Sequence, residues 1–213
     1  MTALLERFNR HLAGLRLPPG PAVVAVSGGP DSRALLDLLA NSPAAATLEL
    51  HVAHADHGID RGSAAVAESV AAAAASHGLP VHSTRLLLGA GTTETAARVA
   101  RYTWLFEVAK QIGAAVIFTG HQQDDQVETI FMRLLKGSGP AGLAGIATKR
   151  GSLVRPLLPF RREELAGYLH QKGLTAWTDP ANTDPRHQRS WIRASVLPGL
   201  RERIPDVDHR LLS

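Results

Sequence analysis

Ala22-Val23-Val24-Ala25-Val26-Ser27-Gly28-Gly29-Pro30-Asp31-Ser32-Arg33-Ala34-Leu35-Leu36-Asp37-Leu38-Leu39-Ala40 is the stretch that decides the fold of this 213-residue chain. Ala22 to Ser27 is apolar up to its last residue, as in a parallel strand buried on both faces. Asp31 to Ala40 reads as a helix, and only Gly28-Gly29-Pro30 separates the two. Working outward, the alternation continues. Strands are expected at 47–55, 80–86 and 114–119, and helices at 63–77, 93–112 and about 124–136. Strand and helix in turn predict a doubly wound parallel sheet.

Upstream, Met1 to Leu15 carries Leu4, Leu5, Phe8, Leu12 and Leu15 near a 3.6-residue period, which predicts an amphipathic helix with those side chains in the core. Pro18-Pro19-Gly20-Pro21 ends it. Downstream, Gly137 to Gly145 reads as a flexible Gly-rich connection. A short strand (153–158), a helix (161–172), a polar loop (177–188) and a final helix from about Ser190 follow. The expected division is a nucleotide-binding domain over 1–148 and a basic, mostly helical extension over 149–213.

Composition narrows the function. Apolar residues at 45% supply a core, and charged residues at 20% are too few for a disordered chain. No apolar run approaches the ~18 residues of a membrane span, and Met1 to Arg7 opens no signal peptide. There is no cysteine, so disulfides, thiolate metal sites, iron–sulfur clusters and Cys nucleophiles are excluded. A cytoplasmic location is the expectation. The net charge of +4 is uneven: residues 149–193 hold 9 Lys/Arg against 4 Asp/Glu, while 1–148 hold 11 against 12. A basic C-terminal third fits a phosphate-bearing partner or an ordinary solvated face.

The Ser27–Ser32 segment lies where open parallel sheets bind ligands, outside the carboxyl end of a strand. Its glycines permit close backbone approach, and Pro30 suits the first turn of a helix. The free N–H groups of that helix then face an anion. No Walker A lysine, G-x-G-x-x-G or G-x-S-x-G is present. Asp31 would repel a phosphate unless Mg²⁺ bridges the two. The plainer reading is a strand–helix turn with Asp as a helix-start residue. S-G-G-x-D-S after a first strand resembles the pyrophosphate-binding loop of the N-type ATP pyrophosphatases, whose PP-loop fold is adenine nucleotide alpha hydrolase-like. The resemblance implies cleavage of ATP between its α- and β-phosphates.

A second motif, His121-Gln122-Gln123-Asp124-Asp125-Gln126-Val127-Glu128-Thr129, follows the fourth strand on the same rim. Asp125 and Glu128, three apart, share a helix face. Acids at a helix start are common, but here they stand on the rim that carries the phosphate loop. H-x-x-D-D-x-x-E-T resembles the signature of the tRNA(Ile)-lysidine synthetase family. Glu94-Thr95-Ala96-Ala97-Arg98-Val99-Ala100-Arg101-Tyr102, Lys136-Gly137-Ser138-Gly139 with Gly142-Leu143 and Gly145, Arg155-Pro156-Leu157-Leu158, and Trp177 to Asn182 with Arg189, Arg193 and Pro198-Gly199-Leu200 are similar to further segments of that family. The similarity runs in order over roughly residues 22 to 200. Arg189-Ser190 and His57-Gly58-Ile59-Asp60 depart from the family's usual Arg-Asn and His-Gly-Leu-Arg.

The resemblance implies ligation of free lysine to C2 of the wobble cytidine (C34) of a tRNA(Ile) with a CAU anticodon, through an adenylated intermediate. ATP and Mg²⁺ are the implied cofactors. Ser27, Gly28, Gly29, Pro30, Asp31, Ser32 and His121 would hold the nucleotide, and Asp31 and Asp124 the metal. Asp125 and Glu128 would bind the lysine ammonium and relay its proton. Arg98, Arg101 and Arg193 would stabilise phosphate charge or hold tRNA, with Arg155 and Arg189 also on the substrate. A tRNA thiolase, a small-molecule amidating synthetase and a non-catalytic nucleotide-binding module are the alternatives.

His51, His54 and His57 are read as strand-end residues near the nucleotide rather than a zinc site, because 51 and 54 face opposite sides of a strand. Trp177 and Trp191 are read as buried.

Overall fold

A computed structural model describes residues 2–56, 63–86, 88–89, 91–177 and 188–212. The expected alternation is present. Helix α1 (Ala3–Gly14) precedes β1 (Gly20–Ala25), α2 (Pro30–Ala40), β2 (Leu48–Asp56), α3 (Ser63–Ser76), β3 (Val81–Arg85), α4 (Glu94–Ile112), β4 (Val116–Phe118) and α5 (Gln123–Leu135). Thr2 caps α1 and Thr93 caps α4, each hydroxyl accepting from an N–H in the first turn. Gly113 closes α4 in the left-handed region at φ 69°.

The strands form one six-stranded sheet in the order β3-β2-β1-β4-β6-β5. β1 pairs in parallel with both β2 and β4. The chain therefore winds outward from β1 to β3, crosses back through α4 and restarts at β4. The strand order reverses between β1 and β4, and an open crevice at the carboxyl ends is the geometric consequence.

The last two strands correct the expected boundary at residue 148. β5 (Lys149–Arg150) and β6 (Leu153–Val154) belong to the same sheet, with β6 parallel to β4 and β5 antiparallel at the edge. The predicted strand over 153–158 stops at Val154, and Leu157, Leu158 and Phe160 are buried in the turns beyond it. Helix α6 (Arg162–Gln171) adds Leu165, Tyr168 and Leu169 to the main core. Residues 149–171 thus complete the first layer.

One core, on the α2 and α3 side, includes Phe8, Val24, Leu35, Val70, Phe118 and Phe160. The opposite face of the sheet packs on α4 through Val23, Ala53, Leu105, Val108 and Ile117. The N-terminal helix is in the core as its period predicted: Phe8 meets Phe160 at 6.1 Å, and Arg7 pairs with Glu164 at 2.6 Å.

The Gly-rich connection is tied down by α5. Gln126 Nε2 donates to Ile146 O at 2.6 Å, and Arg133 Nη1 donates to the carbonyls of Gly142 and Gly145 at 3.0 and 2.9 Å. The C-terminal helices follow as α7 (Gln188–Trp191), a π-helical turn (Ile192–Val196), α8 (Leu197–Arg203) and α9 (Val207–Leu212). They dock on α5 through Val127, Ile192 and Leu197.

Both tryptophans correct their expectation: Trp177 and Trp191 are 39% and 42% exposed. Trp177 is held by its backbone, whose N–H donates to Gly28 O at 2.9 Å, so its ring is not needed in the core. Among the described residues no helix is long and apolar enough to cross a membrane.

Tyr168 is buried and its hydroxyl donates to Asp37 Oδ2 at 2.5 Å, while His77 Nε2 lies 3.3 Å from Oδ1. This joins α6 to α2 across the first layer. Tyr168→Phe leaves that carboxylate short of one donor and is expected to cost about 1.5–3 kcal/mol. Urea unfolding measures it, and a loss below about 0.5 kcal/mol would show that the bond does not hold the layer together.

Candidate active site

The crevice between β1 and β4 is built from two tight turns. After β1 the chain passes through Gly28 at φ 90°, where a Cβ would stand 2.4 Å from Val66 Cγ1. Only glycine fits both demands. After β4, a Cβ on Gly120 would lie 3.1 Å from the Ser32 nitrogen, so the two tips abut. Pro30 opens α2 as expected, and Gly29 precedes it in extended conformation. The serines brace the loop: the Ser27 N–H donates to Ser32 Oγ at 3.2 Å, and Ser32 Oγ donates to Gly29 O at 2.9 Å.

Asp31 sits in the first turn of α2. Its Oδ1 is buried and, among the described residues, meets no hydrogen bond of good geometry, though the Gln122 side chain stands close enough to favour the charged carboxylate. Burial, and then the charge of Asp125, push the Asp31 carboxyl up to about 6, with Arg162 opposing.

The start of α5 faces it. Gln122 caps this helix in a capping box: its Oε1 accepts from the Asp124 N–H at 2.5 Å, and its own N–H donates to Asp125 Oδ2 at 3.0 Å. Asp125 Oδ1 lies 3.1 Å from Arg189 and 3.7 Å from Arg162. Burial raises the Asp125 pKa despite Arg189.

Glu128, one turn on, is buried and serves as a hub. Its Oε1 accepts from Arg193 Nε at 2.7 Å and Arg162 Nη2 at 3.3 Å. Its Oε2 accepts from Arg189 Nε at 2.7 Å and Arg193 Nη2 at 3.0 Å. Burial alone would raise its pKa, but the bonds from Arg193 and Arg189 outweigh burial and hold it below the usual value.

The structure thus brings together Asp31, Asp125, Glu128, Arg189 and Arg193. Glu128 is not a free acid, however, and Arg193 and Arg189 spend their charge on it. Asp124 is a further correction. Its Oδ2 accepts from the Arg162 N–H at 3.0 Å and its Oδ1 from Arg201 at 2.9 Å, so it ties α5 to α6 and α8. Among the described residues no group of three or more His, Asp or Glu is placed to hold a metal. The oxygen left for a cation is Asp31 Oδ1. Magnesium commonly takes one or two carboxylates and completes its shell with phosphate oxygens and water, and this donor set fits that habit.

The other wall is cationic. His121 Nδ1 lies 3.0 Å from Thr119 Oγ1. Burial, then Arg98, Arg155, Arg189 and Arg101, push this imidazole down to about 3, so it is neutral at physiological pH. Arg98 and Arg101 lie against the Tyr102 ring, 4.9 and 5.6 Å from its centroid. Arg155 departs from its expected role. It is 5% exposed, too deep to meet a polyanion, and Nη1 donates to Ala147 O at 2.7 Å. It still adds positive potential around His121.

His54 closes the rim beside β1, its Nδ1 2.8 Å from Val26 O, while His51 stacks on His82 away from it. His57 and the segment 178–187 lie outside the described residues.

Sequence reasoning did not single out Arg162, which meets three carboxylates at once: Asp31 at 4.0 Å, Asp125 at 3.7 Å and Glu128 at 3.3 Å. The available signal was Arg161-Arg162 at the start of a helix, where the dipole disfavours cations.

Asp31 gives a stability test. Its raised pKa stabilises the fold below about pH 4, and that contribution is lost as pH rises to about 6. Asp31→Asn removes the burden, so it is expected to be more stable than the parent by about 2–3 kcal/mol at pH 7.5 and no more stable at pH 4. Urea melts at both pH values decide this, and a pH-independent difference contradicts it.

Known proteins match this architecture. A family model described as the PP-loop domain matches residues 4–200. The chain is 43% identical over 206 residues to the tRNA(Ile)-lysidine synthase of Salinispora tropica, covering 93% of this chain and 62% of that protein. It is 40% identical over 217 residues to that of Symbiobacterium thermophilum, covering 96% and 45%. The chain therefore spans less than two thirds of these relatives. The U34-tRNA thiolase NcsA of Methanococcus maripaludis shares the fold at TM-score 0.77 and 16% identity, over 98% of this chain and 77% of that one. The NH3-dependent NAD synthetase of Campylobacter jejuni aligns at TM-score 0.51 and 14% identity, over 98% and 92%. With the glycine turn and the Asp31 carboxylate lying inside the matched residues, the chain belongs to the PP-loop domain family.

Proposed function

We propose that the chain carries the catalytic crevice of a tRNA(Ile)-lysidine synthase, joining free lysine to C2 of the wobble cytidine (C34) of a CAU-anticodon tRNA(Ile) at the expense of ATP. One observation carries the reading: a cation receptor of three carboxylates (Asp31, Asp125, Glu128) stands beside an anion receptor (the Ser27–Ser32 loop with Arg98 and Arg101), as an amine and a nucleotide together require. The relatives named tRNA(Ile)-lysidine synthase support the choice of amine and RNA.

In this reading the N–H groups at the start of α2 receive the β- and γ-phosphates of ATP. A magnesium ion on Asp31 Oδ1 would offset the repulsion between carboxylate and phosphate. The cytidine O2 attacks the α-phosphorus and pyrophosphate leaves. Arg98 and Arg101 hold the charge on the α-phosphate, and neutral His121 sits among them without adding to it. The lysine ε-amine then attacks C2, and AMP departs with the oxygen.

The amine arrives as an ammonium of pKa ~10.4 and must lose a proton first. Asp125, whose pKa burial raises, accepts that proton better than Glu128, whose four hydrogen bonds favour the charged form. Glu128 sets the negative field and keeps Arg189 and Arg193 on the rim. The basic surface beyond residue 149 meets tRNA phosphates, so binding weakens steeply with salt.

The test is transfer of radiolabelled lysine to tRNA(Ile) with ATP. Lysine-dependent AMP release is expected, abolished by Asp31→Ala and lowered at least about a hundredfold by Asp125→Asn. Nucleotide binding with no lysine incorporation would instead favour a non-catalytic module, and ATP-dependent activation of another amine or of sulfur would favour the thiolase or amidating alternatives.

A further inference from the structure

We infer that Arg162 is a charge-balancing plug in the amine pocket, and that nucleotide binding draws it out. This rests on the reading of Asp31, Asp125 and Glu128 as the lysine ammonium receptor, and it assigns Arg162 a role in the order of binding.

Of the three guanidiniums on Glu128, Arg162 is the one shared with both other carboxylates, and it is held most loosely. Arg193 makes two bonds at 2.7 and 3.0 Å, and Arg189 makes one at 2.7 Å with another to Asp125 at 3.1 Å. Arg162 makes one at 3.3 Å and otherwise only approaches, at 3.7 and 4.0 Å. Its side chain is 29% exposed. An ammonium that contacted the same three carboxylates would need the space its guanidinium fills. Without either cation the three acids would repel, as the effect of Asp125 on Asp31 already shows.

The side chain can leave without moving the backbone. The Arg162 N–H is fixed on Asp124 Oδ2 at 3.0 Å. Arg162 itself lines an open cleft of about 380 Å³, together with Asp124, Glu163 and Asp208, so free space adjoins it. The pull comes from the neighbouring loop. Arg162 Nε is 4.0 Å from Asp31, in the first turn of α2 where phosphates are to be received. A triphosphate brings several negative charges to within reach of that guanidinium, and the attraction is strong in a partly buried site. With Arg162 drawn toward the phosphates, the vacated carboxylates accept lysine. Nucleotide and lysine then bind with positive coupling.

Calorimetric titration of lysine tests this, without nucleotide and with saturating α,β-methylene-ATP, which cannot be cleaved at the reacting bond. In the parent protein the nucleotide analogue is expected to tighten lysine binding by about tenfold or more. In Arg162→Gln lysine is expected to bind tightly with or without it, while a parent-like circular dichroism spectrum and cooperative thermal melt certify the fold. Should Arg162→Gln not fold, Arg162→Lys is read instead, and a smaller nucleotide effect than the parent's is expected because a compact ammonium reaches fewer of the carboxylates.

Equal lysine affinity with and without nucleotide in the parent overturns the inference, as does full nucleotide dependence in Arg162→Gln or a loss of lysine binding there. Absence of lysine binding in every titration, with nucleotide binding intact, removes the amine pocket itself and the plug with it. That outcome is distinct from a pocket that binds lysine but is never blocked.

Discussion

The buried charge of Glu128 is the constraint on which the rest of the rim depends. A carboxylate withdrawn from water costs several kcal/mol unless its lone pairs are met by cations in good geometry. Here three guanidiniums from two separate stretches of chain meet it: Arg162 from the start of α6, and Arg189 and Arg193 from the C-terminal helices. Those stretches are therefore held against α5, and the apolar contacts of Val127 with Ile192 and Leu197 complete the joint. The same anion shapes the fold and sets the electrostatics of the crevice.

Two fields of opposite sign then meet at the reversal of strand order. On one side, Asp31, Asp125 and Glu128 face Arg189, Arg193 and the loosely held Arg162. On the other, burial first and then the charges of Arg98, Arg155, Arg189 and Arg101 keep His121 neutral. The glycine turns bring these walls together, since Gly28 and Gly120 remove the side chains that would hold the β1 and β4 tips apart. A reaction that unites an ammonium with a nucleotide-activated base needs this juxtaposition, and an amine or a phosphate alone would not.

Much of this was legible in the sequence. The apolar run at 22–26, the glycines, and the alternation of strand and helix fixed the parallel sheet and the place of the loop, because those signals are local and periodic. Asp31, Asp125 and Glu128 were found by their position after strands β1 and β4. The misreadings concern partners distant along the chain. Arg155 lies beside the sheet edge and is buried there, which its place in a basic run concealed. Asp124 turns toward Arg201, 77 residues away, and no spacing rule announces that pairing. The short strands at 149–154 carry too few residues to show a period. Trp177 is fixed by a backbone bond to Gly28, a contact to which its side-chain chemistry gives no clue.

In the proposed reaction the Ser27–Ser32 amides receive the phosphates beside Asp31. Titrating the 15N-labelled protein with pyrophosphate and magnesium, and following each backbone amide by NMR, tests it most directly. Saturable shifts centred on Gly28, Gly29, Asp31 and Ser32, with smaller ones at Gly120 and His121, are the expected result. Shifts centred elsewhere on the surface, with the loop unmoved, would contradict the account.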